Sequence, residues 1–203
     1  MHIEPGLVDS GKIWLSYVTA AGAGGYAVKL AYEAIRERGI LSLVSRSVVA
    51  SALVFSFFEV LPHYPVGVSE VHLILGSTLF LIFGMAPAAI GLAAGLLVPL
   101  FALQVVAQKI IAPNTPYVEL RYRQALALST TYQAGIVGWV AFWALYGQGF
   151  AVDNIAAIST FGGAYMLVVI IEPLADLAVL GAAKALSRLR GSLLLERRLY
   201  EAV

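Results

Sequence analysis

The sequence has no cysteine, and charged residues fill only 12% of its 203 positions. Without Cys, a disulfide-stapled secreted domain and a thiolate-held metal cluster are both excluded. A soluble domain carries about 25% charged residues, so half that density leaves too little polar surface for a water-facing globule. Basic and acidic residues nearly cancel, 13 against 12, and a net charge of +1 offers no electrostatic basis for binding nucleic acid. Three histidines occur, His2, His63 and His72, too few for pairs of haem-ligating imidazoles on facing helices. The chain also lacks a Gly-x-Ser-x-Gly elbow, a His-Glu-x-x-His pair and a Walker A loop, so it is read as a non-enzyme that cannot hydrolyse ATP by that route. What it has instead is 60% hydrophobic residues. Its solvent is the lipid bilayer.

Uncharged runs mark the crossings. Residues 71–108, 124–152 and 154–171 carry no formal charge, and residues 13–26 and most of 40–61 are similarly apolar. A span needs roughly 20 such residues. Their continuous hydrophobicity, without strict alternation, selects helices over a barrel. A single helix over 71–108 would be about 57 Å long at 1.5 Å per residue, too long for one crossing, and Gly84 with Pro87 predicts a break inside it. The expected fold is therefore an all-α polytopic membrane bundle, one domain over 1–203, with six spans at 13–34, 40–61, 71–86, 88–111, 125–146 and 154–186. Glycines at 22, 24 and 25, at 91 and 95, and at 135 and 138 suit close helix packing in lipid.

Charge sets the orientation. Arg36 and Arg38 follow the first span and argue for an inside loop, which puts the N-terminus outside. Six spans then leave Lys109, Arg121, Arg123 and the basic C-terminal residues Lys184, Arg188, Arg190, Arg197 and Arg198 outside, against the positive-inside tendency. One more crossing between Pro87 and Lys109 repairs both, and a segment of roughly 20 residues missing near Leu97 and Val98 would supply it, for seven spans. Residues 1–12 lack the basic and apolar regions of a signal peptide, so Met1–Ser10 is expected to stay on the mature protein.

That tail carries the first candidate chemistry. A free Met1 amine, the His2 backbone nitrogen and the His2 imidazole close two fused chelate rings, placing three nitrogens in a plane. A second imidazole would complete a square, the geometry of Ni(II) or Cu(II) rather than Zn. His72, beside Glu70 at the start of the third span, and His63, in the preceding loop, share the outer face with the tail. Arg46, Glu59, Glu172 and Asp176 are ionisable residues at membrane depth. Arg46 and Glu59 stand about 20 Å apart along a helix and cannot pair. Glu172 and Asp176 share one face at i, i+4, next to Pro173. A kinked, partly wet segment is the simpler reading of that pair, and a docking face for a partner the alternative.

The sequence resembles the substrate-specific membrane subunit of energy-coupling factor (ECF) type cobalt and nickel importers, the CbiM/NikM family. The likeness rests on Met1-His2-Ile3 with Gly6, on Val66-Gly67-Val68-Ser69-Glu70-Val71-His72, and on the Phe83-Gly84 and Pro87 that follow at the family's spacing. The resemblance implies capture of Ni2+ or Co2+ by the Met1 amine, the His2 nitrogens and a distal imidazole from His72, with His63 in reserve. It further implies a coupling transmembrane subunit, a pair of ATP-binding cassette ATPases and, in some complexes, a small accessory membrane subunit. The setting would be a bacterial or archaeal cytoplasmic membrane, with the basic C-terminus inside. Two other readings fit the composition. One is a capture subunit for an organic solute; the other is a structural or assembly subunit that transports nothing.

Overall fold

A computed structural model describes residues 10–92, 103, 106–107, 109–111 and 114–202, apart from the side chains of Lys12 and Glu59. Helix α1 runs Ser10–Phe55 and continues as one π-helical segment to Val60, with its regular geometry interrupted at Gly39 (φ 82°, ψ 161°). A short antiparallel hairpin follows, β1 Tyr64–Val66 and β2 Ser69–Val71. Then come α2 Gly76–Phe83, α3 Met85–Leu92, α4 Tyr122–Gln148 and α5 Val152–Ala185. The architecture is nearly all-α, as the apolar runs require, because a helix satisfies its own backbone in lipid. The hairpin is the exception to the expected all-α class.

Among the described residues, three stretches are long and apolar enough to cross a bilayer: Ile13–Phe58, Tyr122–Gln148 and Val152–Ala185. The expected spans at 125–146 and 154–186 correspond to α4 and α5. Those at 13–34 and 40–61 lie on the two sides of Gly39. The expected span at 71–86 is corrected, while much of the one at 88–111 lies outside the described residues. Residues 71–75 are strand and coil, and α2 has eight residues, about 12 Å of helix, too short to cross alone. The break falls at Gly84, whose φ of 82° and ψ of 173° no helix can accommodate. Pro87 sits in the first turn of α3, where its missing N–H costs nothing. Leu97 and Val98, where a missing segment was expected, lie outside the described residues.

Two ends of the bundle can be told apart by contacts. At one end Arg38 donates to the carbonyls of Leu195 and Ser192, Ser42 Oγ to the Leu193 carbonyl, and Arg46 to Glu196. The Glu196 amide in turn bonds the Ile82 carbonyl at 2.7 Å, the Arg198 guanidinium lies 5.0 Å from the Tyr117 ring, and Gln124 reaches the Ile111 carbonyl. Residues of the basic stretches near 36–38, 121–123 and 184–198 therefore gather at one end. The hairpin lies at the other end, about 30 Å away along residues 40–60 at 1.5 Å per residue.

The core is built where α2 enters between α4 and α5. Leu79, Leu81, Leu128, Tyr132, Phe161 and Tyr165 are almost completely enclosed. Gly76 permits this entry, since a Cβ there would stand 2.1 Å from the Tyr132 ring. The outward faces carry Trp14, Tyr17, Val28, Leu167 and Ile170, exposed apolar residues suited to acyl chains. At the turn between α4 and α5, the buried Asn154 amide donates to the Ala144 and Gly149 carbonyls, so the two helices leave this corner as a fixed pair.

Candidate metal-capture site

The hairpin is positioned by glycine at its turn. Gly67 has φ 60°, and its missing side chain lets the turn lie directly on α5: a Cβ would stand 2.1 Å from the Ala157 carbonyl oxygen. Register pairs Tyr64 with Val71, Pro65 with Glu70 and Val66 with Ser69. His72 follows immediately. Alternation along the extended strand puts Glu70 and His72 on one face, two residues apart.

His72 is largely buried, and three neighbours fix its ring. Its Nε2 lies 3.3 Å from Glu70 Oε2, while Glu70 itself is half exposed. The His63 ring stacks on it at 4.9 Å between centroids and 16° between planes, and the Phe58 ring approaches to 4.8 Å at 39°. The Nδ1 of His72 is buried with no hydrogen-bond partner among the described residues. Burial holds the His72 imidazole below the usual value of 6.5, against the opposing hydrogen bond that its ring donates to Glu70. The ring is thus kept neutral, the state in which it is a metal ligand.

The structure brings the His63 and His72 rings together. Met1 and His2 lie outside the described residues. Among the described residues no three His, Asp or Glu side chains converge on a point that could hold an ion. Chemically the hairpin end therefore offers one well-held imidazole with a free ring nitrogen, and a second imidazole stacked parallel to it.

Glu172 and Asp176 differ from both readings offered for them. Each is wholly enclosed, so neither a wet kink nor a docking face describes them. Ser129 Oγ (2.6 Å) and Gln133 Nε2 (3.0 Å) donate to Glu172, Ser77 Oγ (2.9 Å) and Thr78 Oγ1 to Asp176. The pair joins α2 and α4 to α5. Pro173 sits within a continuous α5.

The family described as cobalt uptake substrate-specific transmembrane region, CbiM, matches residues 2–115, which is 114 of the 203 residues. The chain belongs to this family. No curated protein and no solved structure matches it. CbiM proteins are components of transport systems rather than enzymes, and the match takes in all three histidines together with α1 to α3. It stops before α4 and α5, so the Glu172 and Asp176 network lies outside it. Membrane location, a transport role and cobalt or nickel as the class of substrate follow from membership and from the apolar helices.

The sequence reading missed Glu70 as a partner of His72, and the hairpin that sets their distance. One weak cue was local: Gly67 takes the first central position of a two-residue turn, where glycine is favoured.

Proposed function

We propose that this chain is the metal-capturing membrane subunit of an ECF-type importer of Co2+ or Ni2+. It takes the ion from the hairpin side through the Met1 amine, the two His2 nitrogens and the His72 imidazole. The observation that carries this reading is His72 itself: a neutral, largely buried ring whose Nδ1 has no partner, at the end of the bundle remote from the basic clusters. An unpaired buried acceptor costs about 1–3 kcal/mol, a cost that a bound cation would remove.

By the positive-inside tendency, the end holding Arg38, Arg121 and Arg198 faces the cytoplasm and the hairpin faces outward. The chain path supports this. Gly84 abuts Glu196 and Tyr117 abuts Arg198, so both ends of the stretch 85–117 meet the same C-terminal segment. In between, α3 heads away from that segment, with Gly91 packed on Ala50 one turn beyond Arg46. Lys109, Arg121 and Arg123 then lie on the basic, inward side, as the positive-inside tendency asks. Release inward would be driven by a coupling transmembrane subunit and paired ATPases. Withdrawing the tail would remove three of four ligands at once.

The test is Co2+ and Ni2+ binding by the detergent-purified protein, with its native N-terminus and with Gly-Ser placed ahead of Met1. One-to-one binding lost on extension supports the tail chelate. Equal binding by both forms excludes the tail as ligand, and absence of binding by either excludes capture.

A further inference from the structure

We infer that Glu70 is a positioning residue that fixes the proton of His72 on Nε2, so that the metal is taken by Nδ1; this rests on His72 being the distal ligand. A neutral imidazole has one N–H and one lone pair, and the partner of one nitrogen decides the role of the other. Glu70 Oε2 stands 3.3 Å from His72 Nε2, and a carboxylate there can only accept, so the ring donates from Nε2. Nδ1 is then left with its lone pair, and it is the nitrogen that is buried and unpartnered. Metal-bound histidines commonly hold their second nitrogen on a carboxylate in this manner, which sets the tautomer and orients the ring.

The same geometry assigns His63 a different part. A ligand nitrogen points its lone pair within its ring plane, toward the ion. Rings stacked at 4.9 Å and 16° have nearly parallel planes, so their lone pairs cannot meet on one ion about 2 Å from each. With Phe58 against His72 at 4.8 Å, His63 instead packs the ring in place. The site thus has one distal imidazole, held by a carboxylate at Nε2 and by ring contacts from Phe58 and His63.

The test compares the native-N-terminus protein with Glu70→Ala, Glu70→Gln and His72→Ala by two measurements. One is Co2+ or Ni2+ affinity; the other is the 15N shifts of His72 in metal-free protein, which report whether each ring nitrogen is protonated. The expected result is Nε2–H and bare Nδ1 in wild type and in Glu70→Gln, whose amide oxygen still accepts. Glu70→Ala should show mixed tautomers and about 10–100-fold weaker metal binding. A proton on Nδ1 in the wild type overturns the assignment, as does a Glu70→Ala protein with wild-type affinity while His72→Ala has lost binding. Glu70→Gln behaving as Glu70→Ala overturns it too, because the carboxylate charge rather than the tautomer would then matter. If His72→Ala binds metal as wild type does, the underlying reading of the distal ligand fails, and the role of Glu70 with it.

Discussion

Arg46 and Glu196, 150 residues apart in sequence, meet in a 2.9 Å ion pair that seats the C-terminal segment in the break between α2 and α3. Arg46 is almost fully enclosed, and its guanidinium also donates to the Phe83 carbonyl at 2.7 Å. The break itself admits the carboxylate: a Cβ on Gly84 would stand 2.2 Å from Glu196 Oε2. Removing one member of such a pair strands a buried charge, at a cost of about 3 kcal/mol. Glu196→Ala should therefore lower the thermal unfolding midpoint in detergent markedly. The double substitution Arg46→Met, Glu196→Leu should recover most of the loss. If Glu196→Ala unfolds at the wild-type temperature, the pair does not hold the segment.

The buried carboxylates should behave differently from each other's neutral replacements. Glu172 accepts from Ser129 Oγ, Gln133 Nε2 and the Ser77 amide. Glu172→Ala should destabilise the protein by roughly 3 kcal/mol, since it leaves several buried donors unpaired. Glu172→Gln keeps one acceptor and should cost less. Thermal unfolding of the two variants beside Asp176→Asn measures the order, and equal midpoints for all three would remove the network from the account of stability.

How far the sequence reached follows from how local each signal is. The helices α4 and α5 are continuous apolar runs whose limits fall within a few residues of those read from composition. The break at Gly84 was legible because Gly and Pro act on their own backbone. The hairpin was not, because two three-residue strands give too little alternation to register against a long apolar run. Nor was the pairing of Arg46, since its partner lies in another segment and only the fold brings them together. The Glu172 and Asp176 pair was legible as a shared helix face. Its burial depended on hydroxyls from α2 and α4 that no spacing rule connects to it.

The depressed proton affinity of His72 sets a direction for pH. The groups facing it are Glu70, which favours the charged form, and His63, which opposes it, while burial outweighs both. Its folded value lies below the unfolded 6.5, so below that pH the unfolded chain binds the proton first and stability falls as pH falls. The metal-free protein should therefore lose more stability between about pH 7.5 and about pH 5.5 than a His72→Gln variant. Unfolding midpoints across that range check the difference, and parallel curves for the two proteins would show that His72 takes up its proton as readily in the fold as out of it.

Gly67 links the hairpin turn to the metal end through a backbone contact, and its replacement tests whether that contact sets the height of His72. An alanine there meets two obstacles. The φ of 60° is unfavourable for any side chain, and the Ala157 carbonyl oxygen stands 2.1 Å from where the Cβ would be. The obstacle belongs to the α5 backbone, so trimming Ala157 to Gly cannot relieve it. The turn must lift off the helix, and Glu70 and His72 lie three and five residues further along the same hairpin. Gly67→Ala should thus weaken Co2+ and Ni2+ binding by about tenfold or more, equivalent to about 1.4 kcal/mol, while α4 and α5 stay folded. Isothermal titration together with far-ultraviolet circular dichroism separates the two effects. Unchanged affinity in a protein of wild-type helicity would mean that the hairpin holds His72 without its seat on α5.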